Sequence, residues 1–290
     1  MTRSDVTAQV GQDSQGERRA QAAAAPLPGA LAIGLRRGVV ELKQFFRQAE
    51  FVVFTFSLPA IILILLGSTF GDTDPAAGVN VSQILTASMI AAGFISTSFI
   101  SMGVGVALDR QAGTLKRLRG TPMPATSYFI GKAVLVAVAS VAQVTLLLVV
   151  GTVLFDLTLP TEPAQWLTFT WVFLLGIGSC TLLGIAASAI ARGANAAAAA
   201  TNLIYLTLNF TSGVFITISA LPDAMVTASS IFPVKWIAQG MRSVFLPEEA
   251  AAAELAGQWE LGTAALVIGA WLLVGLLLAR WTFRWTNEPG

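Results

Sequence analysis

The chain is organised as blocks of about twenty apolar residues that are separated by short polar segments. A helix rises about 1.5 Å per residue, so roughly 20 apolar residues are needed to cross a hydrocarbon layer about 30 Å thick. Each block therefore predicts one membrane-spanning helix. The blocks cover about 51–71, 84–108, 129–155, 167–191, 196–219 and 261–281. This pattern predicts an all-α membrane protein with six transmembrane helices.

The segment 31–49, which precedes the first block, is too polar to cross a membrane. Its apolar positions recur at helical spacing and are Leu31, Leu35, Val39, Leu42 and Phe46. Its cations are Arg36, Arg37, Lys43 and Arg47. Such a basic amphipathic helix is typical of the membrane interface, where its cations lie near anionic headgroups. A plain solvated helix is the alternative.

Residues 1–30 are polar and contain no apolar region of the kind that a cleavable signal peptide needs. They predict a disordered tail, which leaves 31–290 as the transmembrane domain. The cations of the chain indicate its orientation, because Lys and Arg accumulate in cytoplasmic loops. All but two of the 17 basic residues fall on one side of the six predicted spans, and the two exceptions are Lys235 and Arg242. The N- and C-termini are therefore predicted to be cytoplasmic.

The amino-acid composition limits the kinds of function that the chain can have. Hydrophobic residues make up 55% of the chain and charged residues only 11%, against about 25% charged in a typical soluble domain. There is no histidine, which removes the commonest general base and metal ligand, and one cysteine cannot form an intramolecular disulfide. The net charge of +1 does not suggest a nucleic-acid partner. Neither a catalytic nor a metal site is predicted, and without a GxxxxGK[ST] loop any ATP must bind to another chain.

The predicted cytoplasmic loop at 109–124 contains a structured motif. Gly113 is expected to end the second span, and the hydroxyl of Thr114 can cap a short helix. Within that helix Leu115 and Leu118 share one face, while three cations point elsewhere, namely Lys116, Arg117 and Arg119. Pro122 and Pro124 stop the helix. An apolar pair with a basic rim suits a groove in a soluble partner; the alternative is that the cations only set the topology.

The segment 220–260 is too apolar at its start for a free loop, and Pro222, Pro233 and Pro247 interrupt it too often for a span. Its stretch from Pro233 to Phe245 is expected to form a short helix that dips back into the outer leaflet. An interfacial helix is the alternative. Lys235 and Arg242 are seven residues apart and should lie on one face, directed toward headgroups.

Two sequences, GTLKRLRGTP at 113–122 and FPVKWIAQGMRSVF at 232–245, resemble those of ABC-2-type transporter permeases of the bacterial drug-exporter-like branch. The resemblance covers residues 31–285. It implies that the 113–122 loop is a coupling helix that receives the motion of a separate ABC ATPase subunit, which binds ATP and Mg. It also implies a re-entrant helical hairpin that includes Phe232, Pro233, Lys235, Trp236 and Arg242. One departure is that such permeases usually carry two acids before the Gly-Thr, whereas this chain has Asp109 and Gln111.

The resemblance further implies a bacterial plasma-membrane protein that pairs with a second permease copy or a paralogue. A largely charge-free route fits export of an amphipathic or lipid-like compound such as a drug, lipid or polyketide. The expected lining comes from spans one, two and five, with Asn202, Asn209 and Thr211 as candidates because polar groups in a bilayer need a partner or a pathway. A non-transporting scaffold or sensor subunit of the same fold is the alternative. A membrane-embedded transferase or hydrolase is disfavoured by the missing histidine.

Overall fold

The computed structural model describes residues 29–70, 80–121, 123–190, 193–216 and 221–283. Helices dominate these ranges and no strand occurs in them. Most of the predicted N-terminal tail, up to residue 28, and the predicted helix stop at Pro122 lie outside the described residues. The helices are α1 Ala30–Arg47, α2 Ala49–Phe70, α3 Val81–Gln111, α4 Thr114–Arg119, α5 Ala125–Leu154, α6 Pro163–Ile190, α7 Ala194–Thr211, α8 Asp223–Ser229, α9 Pro233–Phe245 and α10 Leu261–Thr282.

Five of these helices are long and apolar enough to cross a membrane, and they are α2, α3, α5, α6 and α10. The predicted all-α membrane class is confirmed, and the predicted bounds of these spans agree to within four residues. The predicted fifth span corresponds to α7, which has 18 residues and interrupts its apolar side chains with three asparagines. Its length is about 27 Å at 1.5 Å per residue, slightly below a typical hydrocarbon thickness. The count of six spans therefore stays a prediction.

Helix α3 lies at the centre of the bundle and contacts α2, α5, α6, α7 and α9. Its middle section, Ser96–Ile100, is a π-helical segment, a local widening that is frequent at functional sites. Just before this segment, the carbonyl of Ala92 accepts a hydrogen bond from the Tyr205 hydroxyl of α7 at 3.1 Å. We call the end of the bundle that carries α4 the loop end, and the opposite end, where α9 finishes, the hairpin end.

Helix α1 packs lengthwise against the first half of α5. A side chain at Gly34 would collide with Ile130, and one at Gly38 would collide with Val134, so both glycines permit close contact. Gly38 and Val134 each lie four residues after Gly34 and Ile130, so α1 and α5 run side by side in the same direction. The predicted amphipathic helix is present, but its apolar stripe faces away from the protein. Its most exposed members are Leu31, Leu35, Val39 and Phe46.

The segment before α10 folds back into the bundle as a hairpin of α8 and α9. Pro222 precedes α8 and Pro233 occupies the first turn of α9, a position that suits the fixed proline φ angle. Helix α9 runs antiparallel to α6. Its Phe245 packs on Phe169 near the start of α6, whereas its first residues, Pro233 and Val234, line a cavity together with Cys180 in the second half of α6. Nearly all of α9 is buried. These contacts favour the re-entrant prediction over the interfacial one.

Candidate functional site

The last three residues of α3 each bond to a different helix. Asp109 accepts a hydrogen bond from the Tyr128 hydroxyl of α5 at 2.9 Å. Arg110 donates to the backbone carbonyl of Ser188 in α6 at 3.0 Å. The side-chain oxygen of Gln111 accepts from the backbone N–H of Ala194 at the start of α7, also at 3.0 Å. Any displacement of this end of α3 must therefore move or strain three neighbouring helices.

A buried ionic cluster adds α1 to this junction. The ammonium of Lys132 in α5 lies 2.7 Å from a carboxylate oxygen of Asp109 and 2.8 Å from one of Glu41 in α1. Glu41 also pairs with Arg37, one turn earlier, at 2.6 Å. Lys132 and Glu41 are each 5% exposed. Because burying a single charge is costly, each charge here depends on its opposite partner.

Sequence reasoning missed this cluster. Glu41 lies in a helix rich in polar residues, and Lys132 lies at the start of a predicted span, just after the basic loop. The partners are 91 residues apart in the chain, so no local pattern joins them. The predicted interfacial cations divide accordingly: Arg37 bonds to Glu41, while the other three are exposed, namely Arg36, Lys43 and Arg47.

The loop helix α4 forms as predicted, with two corrections. Gly113 ends the α3 helix in the left-handed region at φ +70°, and the N-terminus of α4 has no side-chain cap, so the predicted Thr114 cap is wrong. Leu115 is fully buried and Leu118 is half-buried. The predicted apolar pair is therefore not an exposed contact, because Leu115 packs α4 onto its own chain.

The exposed surface of α4 consists of cations. Lys116, Arg117 and Arg119 are all exposed. The guanidinium of Arg117 donates to the carbonyl of Ala112 at 3.1 Å and closes the end of α3. The surface that α4 offers to a soluble partner is thus basic, and it complements an acidic patch better than an apolar groove.

At the hairpin end, Arg242 of α9 bridges several elements. Its Nε lies 2.6 Å from Glu254, and its Nη1 donates to the Ser88 hydroxyl of α3 and to the carbonyl of Gly213, both at 3.2 Å. Arg242 is 3% exposed and Glu254 is 8% exposed. This corrects the prediction that Arg242 points to headgroups, since a helix that the bundle covers on nearly all sides must satisfy its cation internally.

The other predicted residues of this segment hold the turn between α8 and α9. The ammonium of Lys235 donates to the Ser230 hydroxyl at 2.8 Å, and the indole N–H of Trp236 donates to the Ser230 carbonyl at 2.7 Å. Lys235 also lies 4.3 Å from the centre of the Trp236 ring and is buried rather than directed to headgroups. Phe232 stacks on Trp271 of α10 at 5.8 Å between ring centres.

An open apolar groove of about 610 Å³ lies between α2, α3 and α7, near the hairpin end. These helices are the predicted spans one, two and five. Its lining is Ile62, Leu65, Leu66, Phe70, Val81, Leu85, Leu206, Phe210, Phe215 and Ile216. Volumes of about 300–1,000 Å³ are typical of sites for small organic molecules.

The predicted lining residues on α7 are not in the wall of this groove. Asn202 is exposed, and its amide donates to the Ala198 carbonyl at 2.8 Å. Asn209 is fully buried and donates to the Tyr205 carbonyl. Thr211 donates to the Thr207 carbonyl of its own helix. Their role in a transport route stays a prediction, and the structure offers apolar residues of the same helix instead.

Five apolar helices that could cross a membrane, together with a re-entrant hairpin, define the chain as a multi-pass membrane protein. The sequence model of the family described as ABC-2 type transporter matches residues 39–246, so the chain belongs to that family. It is also similar to a protein of Bacillus subtilis (strain 168) named "Putative transport permease YvfS", with 22% identity over 204 residues. That match covers 68% of this chain and 79% of the relative.

Proposed function

We propose that the chain is the permease subunit of an ATP-driven exporter, with its loop end in the cytoplasm. The cation distribution supports this orientation, because α4 and the exposed face of α1 gather basic residues at the same end. In this proposal a separate ABC ATPase subunit, which binds ATP and Mg, docks on α4. The chain itself transports and does not catalyse a reaction.

One observation carries the proposal: a single helix joins the loop to the groove. At the loop end α3 finishes beside α4 and bonds to three helices through residues 109–111. At the hairpin end the same helix contributes Val81 and Leu85 to the groove wall. Helix α3 has 31 residues, about 46 Å at 1.5 Å per residue. Helix α3 can therefore transmit a movement of α4 directly to the groove, with no flexible segment in between.

The groove supports the cargo class and the pairing. Its wall is apolar and faces outward between three helices, so in a bilayer it is either open to lipid or closed by a second permease copy or a paralogue. Among the residues that the structure describes, the groove lining contains no charged side chain, which favours an amphipathic or lipid-like compound such as a drug, lipid or polyketide over an ion. A bacterial plasma membrane is the expected location.

The proposal is tested by reconstituting the chain with its ATPase subunit in liposomes and measuring ATP-dependent movement of a fluorescent lipid analogue. Replacement of Leu206 by Asp places a charge in the groove and should abolish transport while leaving ATPase binding intact. Replacement of Leu273, an exposed residue of α10 away from the groove, by Asp is the matched control. Equal transport by both variants would reject the groove as the route. An ATPase that binds without any transport would favour the scaffold or sensor alternative.

A further inference from the structure

A small cavity of about 30 Å³ lies at the hairpin end, beside the ion pair between Arg242 and Glu254. We call it the hairpin cavity. A water molecule needs about 10–15 Å³ of such space, whereas sites for small organic molecules measure about 300–1,000 Å³. The hairpin cavity is therefore large enough for water and far too small for a transported compound. Its lining is Ile84, Gly213, Arg242, Leu246, Ala250, Ala253, Glu254 and Trp259.

Three buried polar atoms of this lining make no hydrogen bond to any described residue. They are Nη2 of Arg242, Oε2 of Glu254 and the indole Nε1 of Trp259. The other polar atoms of the ion pair are bonded, because Nε of Arg242 lies 2.6 Å from Oε1 of Glu254 and Nη1 donates to Ser88 and Gly213. A buried polar atom without a partner destabilises the fold. Where no protein group reaches such an atom, ordered water usually satisfies it.

The three atoms select the chemistry of the occupant. Nη2 of Arg242 and the indole nitrogen of Trp259 are donors, whereas Oε2 of Glu254 is an acceptor. An anion would suit the two donors but would lie against the Glu254 carboxylate, and a cation would lie against the Arg242 guanidinium. A water molecule can accept two hydrogen bonds while it donates a third, and about three bonds are typical of buried water.

The hairpin cavity also lies close to the surface. The segment Glu248–Ala253 contributes Ala250 and Ala253 to its wall, and Ala253 is exposed. Water can therefore enter at the hairpin end without crossing the apolar bundle. We propose that the hairpin cavity binds one ordered water molecule that bridges Arg242, Glu254 and Trp259. This water connects the ion pair to the segment just before α10, since Trp259 precedes the first residue of α10 by two positions.

The proposal concerns the packing of the hairpin end and does not depend on transport. Nuclear magnetic resonance of the deuterated full chain in detergent micelles, with nitrogen-15 in the tryptophan indoles, tests it, and Trp259→Phe identifies the Trp259 signal. Water held at one site should give the Trp259 indole proton a negative nuclear Overhauser effect, which freely diffusing water does not give. The Trp271 indole N–H donates to the Ile231 carbonyl at 2.6 Å and is the internal control. No negative effect at Trp259, or an equal one at Trp271, would overturn the proposal.

Two alanines of the same segment provide matched variants. Ala250 is 3% exposed and lines the hairpin cavity, so Ala250→Val should fill it and abolish the effect at Trp259. Ala252 is exposed and is not part of the lining, so Ala252→Val should preserve the effect. An effect that persists in Ala250→Val would come from a neighbouring exchangeable proton and would overturn the proposal. If Ala250→Val does not fold, the comparison of Trp259 with Trp271 in the wild-type chain still decides the question.

Discussion

The side-chain oxygen of Gln111 accepts a hydrogen bond from the backbone N–H of Ala194 at 3.0 Å. This bond joins the last residue of α3 to the first residue of α7, two helices that both line the groove. Gln111 stands where similar permeases usually carry the second acid before Gly113, and its amide oxygen makes this contact in place of a carboxylate. A neutral amide oxygen satisfies one of the free N–H groups at the start of α7, as a carboxylate would.

Gln111→Ala removes this cap and should lower the free energy of unfolding by about 1 kcal/mol. Gln111→Glu keeps the acceptor and adds a negative charge at the positive end of the α7 dipole, which should stabilise the chain by up to about 1 kcal/mol. Thermal unfolding in detergent micelles measures both changes. Equal stability of the Ala and Glu variants would show that the bond does not contribute.

Lys132→Met leaves the buried Glu41 and the half-buried Asp109 without their shared cation. Removing one partner of a buried ionic cluster typically costs about 3–5 kcal/mol, and we expect a loss of that order. The matched control is Lys43→Met, because Lys43 is exposed and surface substitutions usually change stability by less than about 0.5 kcal/mol. Adding Glu41→Gln and Asp109→Asn to Lys132→Met should recover part of the loss. A triple variant no more stable than Lys132→Met alone would contradict the pairing.

Gly113 and Gly120 flank α4 and provide a matched pair of substitutions. Gly113 has φ +70° with open space around it, so Gly113→Ala should cost only the left-handed backbone penalty, about 1–2 kcal/mol. Gly120 has φ −78° and an added Cβ would meet its nearest atom at 3.5 Å, an ordinary contact. Gly120→Ala should therefore change the thermal unfolding midpoint little. Equal effects of the two substitutions would show that the turn at Gly113 is not a constraint.

The sequence predicted those elements whose length and hydropathy can be read within one continuous segment. The spans at 167–191 and 261–281 were located within four residues of α6 and α10, because length and hydropathy are local properties. The basic loop was found for the same reason. The burial of Leu115 could not be predicted in this way. The three-residue spacing shows that Leu115 and Leu118 share one face of the helix, but it does not show which part of the chain covers that face.

The two ionic sites were missed for a related reason. Arg242 contacts Ser88, 154 residues earlier in the chain, and periodicity along α9 contains no information about that partner. An amphipathic helix is predicted to place its polar face in water or at headgroups. In α9 the polar face is instead covered by α3 and by the segment around Glu254. Only the three-dimensional packing distinguishes these two outcomes.

Arg242→Met should destabilise the hairpin end by about 3–5 kcal/mol, because it leaves the buried Glu254 carboxylate unpaired. Arg242→Lys should restore little, since an ammonium cannot reproduce the planar set of donors that reaches Ser88 and Gly213. Arg280→Met on the exposed face of α10 is the control. A cycle with Glu254→Gln measures the coupling, and additive losses would mean that the pair does not act as a unit.

The basic surface of α4 should bind the ATPase subunit. Replacing Lys116, Arg117 and Arg119 together by Gln removes the exposed cations of α4 while leaving Leu115 buried in place. We expect co-purification with the ATPase subunit to be lost, and the affinity of the wild-type complex to fall with increasing salt, because exposed charges are screened beyond about 10 Å at 0.1 M.

The control for this prediction removes the same number of cations from the same end of the bundle. Arg36, Lys43 and Arg47 are exposed on α1, and their replacement by Gln weakens the topology signal equally. If the α4 cations act only through topology, both triple variants should lose the ATPase subunit together. Loss confined to the α4 variant assigns binding to the loop helix. Normal ATPase binding by the α4 variant would contradict its role as the docking surface.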